Sequence, residues 1–170
     1  MSQTGATQHE PTQHERTQET PDEATQNAAQ DPRARVQEMF DADPSVQGLG
    51  IEFVDVADGR VTLRIPIRAE MLNALGYAHG GYLFAVADTA FAYAAAAAGF
   101  PAATHTAETT FVAPVRQTGY LEAAAHVVHR YGRQVVCDVV VHDEKGTLVG
   151  LMRGHGSIMK RPAGAGEHSG

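Results

Sequence analysis

The feature that most constrains the fold is the apolar stretch over residues 80–98. Nearly every residue in it is apolar or small, and it ends in five consecutive alanines. Asp88 carries the only formal charge of the stretch. Phe84, Asp88 and Phe91 are spaced i, i+4 and i+7, which places the carboxylate on one helix face with two aromatic rings. Because burying an unpaired charge is costly, we expect this carboxylate to be either partnered or functional.

Composition limits the classes of function. The 170 residues suit one domain of ordinary size. The formal net charge of -7 argues against a nucleic-acid partner, because phosphate contacts require a basic face. No apolar run has the length and flanks of a signal peptide or membrane span, so we expect a cytoplasmic protein without a membrane partner. The single cysteine, Cys137, is expected to pack in a strand.

The chain divides into a folded part and two tails. Residues 1–30 are rich in Gln, Thr, Glu and Pro and are predicted to form a disordered polar tail, because they bury too little to offset their ordering entropy. Residues 161–170 are predicted to form a second, flexible tail. The domain is expected over residues 31–160.

Within that domain the pattern predicts an α+β fold. Asp31 and Pro32 begin a short helix, which Asp43 and Pro44 end. Asp58-Gly59 is a strong hairpin signal between the first two strands. The predicted strands cover residues 49–56, 60–67, 104–112, 120–130, 133–142 and 148–159. A curved antiparallel sheet of five to six strands is therefore expected to wrap around one long central helix.

Five residues separate Asn73 from His79-Gly80-Gly81, and six residues separate Gly81 from Asp88-Thr89. This segment, together with Leu83-Phe84 and the late Arg153-Gly154, resembles the hotdog-fold thioesterases of the phenylacetate-pathway (PaaI) type. The resemblance covers about residues 47–159.

The resemblance implies an acyl-CoA thioesterase that hydrolyses aryl-acyl-CoA (phenylacetyl-CoA or hydroxylated relatives) or medium-chain acyl-CoA, without cofactor or metal. It also implies composite active sites in a homodimer, assembled as a homotetramer. In the family's pattern, the residue at Asp88 is the general base or the nucleophile, and the residue at Asn73 orients the thioester or the water. The substrate-binding residues are expected to be Gly81, Thr89, Leu83, Phe84 and Arg153.

The chemistry of a helix start agrees with that interpretation. Thioester hydrolysis needs donors for the developing oxyanion, and a helix N-terminus offers unpaired N–H groups and a positive dipole end. Gly80 and Gly81 remove side chains that would keep a carbonyl away, so either amide is a candidate donor. His79 is expected to shape the helix start.

Spacing along the helix predicts shared sites. Asp88 lies eight residues beyond Gly80, which is about 12 Å along the axis at a rise of about 1.5 Å per residue. Catalytic partners must converge on atoms only about 3 Å away. A dimer with antiparallel central helices would bring Asp88 of one chain to the Gly80 end of the other.

Several alternatives remain open at this point. Asp88 could cap a neighbouring strand or pair with a buried arginine. The glycines could only permit close packing, and the Thr89 hydroxyl could bond within its own helix. His79 could be purely structural. Two other functions fit the same fold: a non-catalytic acyl-CoA-binding or regulatory protein, and a hydratase or dehydratase.

Strand periodicity orients a few further residues. His126 and His129, three apart on one predicted strand, are expected on opposite faces and therefore form a poor metal pair. Thr104 is expected to share a face with Glu108, whereas Thr109 faces the other way and is a candidate near the site. Many relatives carry arginine where this chain has Ala113, so the coenzyme A phosphates need another partner. The candidates are Arg116, Arg130, Arg133 and Arg153.

Overall fold

A computed structural model describes residues 31–116 and 119–159. Both predicted tails lie outside the described residues. The helices are α1 (Pro32–Asp41), α2 (Pro44–Leu49) and α3 (Gly80–Ala97), and a short 3-10 turn covers Ala69–Met71. The strands are β1 (Glu52–Ala57), β2 (Arg60–Pro66), β3 (Ala102–Phe111), β4 (Tyr120–Tyr131), β5 (Gln134–Asp143) and β6 (Leu148–Ile158).

The strands form one antiparallel sheet in the order β1-β2-β4-β5-β6-β3, and α3 packs against one face of it. The buried residues of α3 include Val86, Ala87 and Ala90, and they meet alternate buried residues of β2, β4 and β5. The predicted α+β architecture, six strands around one long helix, is confirmed. β1 and β3 are the edges of this sheet.

Glycines on β6 let the sheet approach α3 closely. A methyl group at Gly154 would lie 2.7 Å from Cδ2 of Phe91, and one at Gly150 would lie 2.8 Å from Cδ2 of Leu83. Such distances leave no room for a β-carbon without a shift of the neighbouring side chain. The glycines therefore allow two large helix side chains to sit directly on the strand.

Two short helices precede the sheet, where the sequence predicted one helix followed by a strand. Asp31 caps α1 by accepting a hydrogen bond from the Arg33 amide, with Pro32 in the first turn. Asp43 and Pro44 repeat this arrangement and begin α2. The prediction of a strand from residue 49 was wrong, because the second Asp-Pro pair starts a helix as well as ending the first.

α1 packs at the C-terminal end of α3. The Arg35 guanidinium donates to the Ala97 carbonyl oxygen, where a cation is favoured by the helix dipole. The Phe40 ring lies 4.8 Å from that of Phe53, which lies 5.6 Å from that of Tyr93. This aromatic chain joins α1, β1 and α3 away from the start of α3.

The hairpin at Asp58-Gly59 is confirmed: Ala57 pairs with Arg60, and Gly59 has a φ of 63°. Among the described residues, no helix is long and apolar enough to cross a membrane.

β-bulges reverse two of the predicted strand faces. The register of β3 shifts between Thr104 and Thr106, so Thr104 pairs with Gly156 on the helix-facing side. Thr104 therefore does not share a face with Glu108. The register of β4 shifts between Val127 and His129, which leaves His126 opposite Asp138 and His129 opposite Val136. Both histidines therefore lie on the face away from α3, because an extra residue in a bulge breaks the alternation.

Candidate active site

The start of α3 is capped by its own preceding residue. Nδ1 of His79 accepts a hydrogen bond from the Gly81 amide at 3.1 Å, and the His79 carbonyl accepts one from Tyr82 at 2.9 Å. The Gly80 N–H has no acceptor among residues 31–116 and 119–159. Of the two amides predicted as oxyanion donors, the one at Gly80 is therefore unpaired, while the one at Gly81 is engaged by the cap.

An aromatic ring from β3 lies against this helix start. A methyl group at Gly80 would lie 2.8 Å from Cε1 of Phe111, whose side chain is exposed. A methyl group at Gly81 would meet only the His79 ring, at 3.4 Å from Nδ1. Gly80 thus keeps room for the Phe111 ring beside its own unpaired amide.

Asn73 folds the loop that leads into α3. Its Oδ1 accepts hydrogen bonds from the Leu75 amide at 2.9 Å and from the Tyr77 amide at 3.2 Å. The backbone amide of Asn73 donates a hydrogen bond to the Tyr77 carbonyl oxygen at 2.7 Å. The loop is then fixed to the domain where the His79 amide donates to the Met71 carbonyl at 2.8 Å. The side-chain oxygen of Asn73 therefore holds the loop in shape.

Asp88 lies half-buried in the middle of α3. Its Oδ1 is buried and has no hydrogen-bond partner among the described residues. The neighbouring Thr89 hydroxyl donates to the Ala85 carbonyl at 2.7 Å, so it bonds within its own helix. A buried carboxylate oxygen without a protein partner is free to bind water or substrate.

The other predicted substrate-binding residues are separated from one another. Leu83 is buried against Gly150, whereas Phe84 is exposed one turn after Gly80. Arg153 lies on the sheet face away from α3, where it forms two 2.6 Å hydrogen bonds with Asp138. The structure therefore brings Gly80, Gly81 and Phe84 to one end of α3, and it does not bring Arg153 to them.

The Arg153–Asp138 pair has a clear electrostatic effect. Its hydrogen bonds hold the pKa of the Asp138 carboxyl below its usual range and raise the pKa of the Arg153 guanidinium. The charge of His126, which pairs with Asp138 from the neighbouring strand β4, also lowers the pKa of Asp138. This ion pair belongs to the outer face of the sheet.

Of the four arginines proposed for the coenzyme A phosphates, Arg116 lies beside the site loop, where it donates to the Tyr77 hydroxyl at 3.3 Å. Arg130 lies over the Phe100 ring, and Arg133 donates to the Ile158 carbonyl.

In the described part of the chain, no group of three or more histidine, cysteine, aspartate or glutamate side chains is arranged to hold a metal.

A cavity of about 440 Å³ opens beside the helix start. It is lined by Leu49, Glu70, Met71, Leu72, His79, Gly81, Tyr82 and Ala85. A backbone hydrogen bond and the Arg68 ion pair lower the pKa of Glu70. The sequence analysis did not identify Leu49, Glu70 and Leu72 as lining residues, because the hydrogen bond from the His79 amide to the Met71 carbonyl oxygen, which brings their segments to the helix start, is a tertiary contact.

The fold and the motif agree with known proteins. A family model described as the thioesterase superfamily matches residues 75–150. The acyl-coenzyme A thioesterase PaaI of Escherichia coli K12 is 33% identical over 116 residues, which cover 68% of this chain and 83% of that protein.

Solved structures give the same result. The E. coli PaaI protein from the phenylacetic acid degradation operon superposes with a TM-score of 0.73 at 29% identity, over 76% of this chain and 94% of that chain. The TT0310 protein of Thermus thermophilus superposes with a TM-score of 0.65 at 34% identity, over 69% of this chain and 98% of that chain. Six antiparallel strands around one helix are thus the hotdog fold of thioester hydrolases. The chain belongs to the PaaI-type acyl-CoA thioesterases of the thioesterase superfamily.

Proposed function

We propose that this acyl-CoA thioesterase hydrolyses aryl-acyl-CoA, such as phenylacetyl-CoA or its hydroxylated relatives, or medium-chain acyl-CoA. The E. coli relative comes from a phenylacetic acid degradation operon, which supports an aryl substrate. The cavity beside His79 and Gly81 has a volume within the ordinary range of small-molecule sites, and Met71, Leu72 and Tyr82 supply apolar lining.

The observation that carries the proposal is the pair of unsatisfied groups on α3. The Gly80 amide at the positive end of the helix dipole can donate to the thioester carbonyl oxygen as negative charge develops there. The buried Oδ1 of Asp88 can accept a proton from water or attack the carbonyl carbon itself. The two groups supply the oxyanion donor and the base or nucleophile that hydrolysis requires.

We propose that these groups meet between two subunits. Gly80 and Asp88 of one chain are about 12 Å apart along the helix axis, too far for one carbonyl to touch both. β3 is an edge strand with an unpaired side, which a second copy can extend. Gly81, Ala85 and Ala92, along the less buried face of α3, are small enough for a close helix approach. An antiparallel helix pair gives two composite sites per dimer, and two dimers are expected to form a homotetramer.

Purified protein with phenylacetyl-CoA and a series of straight-chain acyl-CoAs tests the proposal by release of the free thiol. We expect turnover that is lost in Asp88→Asn while acyl-CoA binding, measured by calorimetry, persists. Tight binding without turnover in the parental protein would show a non-catalytic acyl-CoA-binding protein instead. Parental rates in Asp88→Asn would exclude the assigned role of that carboxylate.

A further inference from the structure

Two buried polar atoms on neighbouring elements lack partners. Oδ1 of Asp88 on α3 and Oγ1 of Thr109 on β3 are both buried, and neither has a hydrogen-bond partner within the described residues. Leaving a buried polar group without a hydrogen bond destabilises the folded state. Two such groups at one place indicate a position that water or a ligand fills.

The side chain of Thr109 points toward α3. No register shift interrupts β3 between Thr106 and Phe111, so Thr109 and Phe111 share one strand face. The Phe111 ring contacts Gly80 at the start of α3, which identifies this face as the one toward the helix. Thr110, between them, is exposed on the opposite face.

The register of the sheet also fixes the level of Thr109 along α3. Thr109 pairs with Met152 of β6. The two glycines that flank Met152 at a spacing of two, Gly150 and Gly154, lie against Leu83 and Phe91 respectively. Met152 and Thr109 are therefore level with the middle of the segment between those two helix residues.

Asp88 occupies that level and that side of α3. It lies between Leu83 and Phe91 in sequence, and it precedes Phe91 by three residues, so it neighbours Phe91 on the helix surface. Since Phe91 packs on β6 beside β3, Asp88 lies next to the side of α3 that faces β3. The two residues that carry the unpartnered atoms therefore lie at the same level of neighbouring elements.

We propose that Thr109 is a positioning residue whose hydroxyl holds, together with Asp88, the water molecule that attacks the thioester. The inference rests on the proposed role of Asp88 as general base. The water gives one proton to the Asp88 carboxylate as its oxygen bonds to the carbonyl carbon. The carbon–sulfur bond then breaks, and the departing thiolate takes that proton, which leaves the carboxylic acid, free coenzyme A and the Asp88 carboxylate.

The hydroxyl fixes the direction of the water rather than its proton affinity. Asp88 alone leaves the water free to rotate about one hydrogen bond, whereas a second bond to Oγ1 of Thr109 aims its lone pair. Loss of that bond should therefore lower the rate of the chemical step more than the affinity for acyl-CoA.

Thr109→Val tests the proposal, because it removes the hydroxyl and keeps a β-branched side chain suited to a strand. We expect kcat for the best acyl-CoA to fall roughly 10- to 100-fold, with KM changed less than about threefold. Thr109→Ser, which restores a hydroxyl, should recover most of the activity. Thr110→Val is the matched control on the opposite face, and it should keep the parental kcat and KM.

Thermal unfolding separates a positioning role from a structural one. Since the Thr109 hydroxyl has no partner in the described residues, its removal should leave the melting temperature unchanged or raise it. If Thr109→Val lowers the melting temperature, Thr109→Ala is measured in its place, and the same fall in kcat is expected. The proposal is overturned if a variant without the hydroxyl keeps the parental kcat, or if only its KM changes. It is also overturned if light scattering shows that the variant has a different number of subunits.

Asp88→Asn distinguishes this inference from the proposed function. If the parental protein releases no thiol from any acyl-CoA, the proposed function fails. If Asp88→Asn keeps parental activity, the assigned role of Asp88 fails, and the role of Thr109 fails with it. If Asp88→Asn is inactive and Thr109→Val is fully active, the assignment of Asp88 stands and only the role of Thr109 is refuted.

Discussion

Nδ1 of His79 accepts the hydrogen bond of the Gly81 amide at 3.1 Å, so the side chain that precedes α3 caps that helix. The bond satisfies one of the N–H groups that every helix start leaves unpaired, and it leaves the Gly80 amide available. His79 therefore has a structural role that needs no proton transfer.

Replacing His79 should weaken the start of α3. His79→Ala removes the cap, and we expect a loss of about 0.5–2 kcal/mol in the free energy of unfolding. His79→Asn, whose side chain is a favourable N-cap, should recover most of that loss. Urea denaturation of both variants measures the difference; equal stability of the alanine variant and the parent contradicts the capping role.

Gly80 and Phe111 should show strong energetic coupling. Gly80→Ala places a methyl group against the Phe111 ring, and we expect a destabilisation of about 1–3 kcal/mol from overpacking. Phe111→Ala removes the obstacle, so the double variant should be more stable than the sum of the two single changes predicts. A double-mutant cycle by thermal unfolding measures this coupling energy. Strict additivity of the two single changes would show that the Phe111 ring moves aside freely.

Mixing two inactive variants should restore activity if sites are shared between subunits. Asp88→Asn and Gly80→Ala dimers, exchanged at equal amounts, form heterodimers with one intact site and one doubly altered site. Random exchange predicts recovery of about a quarter of the parental activity. The control is the same mixture without subunit exchange, which should stay inactive. No recovery after verified exchange contradicts the composite site.

The Asp138–Arg153 pair should contribute stability that depends on pH. The pKa of Asp138 is lowered in the folded protein, so its contribution is present above the pKa of the unfolded chain, about 3.9, and is lost as pH falls through the folded value. Asp138→Asn should therefore lower the free energy of unfolding at pH 7 by less than about 1 kcal/mol, because both side chains are partly exposed. Urea titrations at pH 7 and at pH 3 should show the difference between variant and parent shrink at the lower pH. A difference that persists undiminished at pH 3 requires another cause.

Close contact between β6 and α3 should make its glycines intolerant of larger residues. Gly154→Ala drives a methyl group into the Phe91 ring, and we expect a loss of about 1–3 kcal/mol. Gly48→Ala, in α2 with nothing within 4 Å of the added methyl group, is the matched control and should be neutral or stabilising. Melting temperatures compare the two variants; similar values would argue against close packing at β6.

The features of this protein that depend on local pattern can be predicted from its amino-acid sequence. The apolar run with its single charge specified a buried helix, and Asp58-Gly59 specified the hairpin, because helix burial and turn type follow from neighbouring residues. The motif from Asn73 to Asp88 indicated the family. It also placed the candidate groups Gly80 and Asp88 about 12 Å apart along one helix, and that distance predicts a site shared between subunits.

Other features depend on how the strands pair and pack. Bulges at residues 104–106 and 127–129 moved Thr104 and His129 to faces that strict alternation did not predict. Only the sheet register set Thr109 level with Asp88, and only the fold laid Phe111 on Gly80. These relationships join residues distant in sequence, so they depend on how strands pair and pack rather than on any local preference.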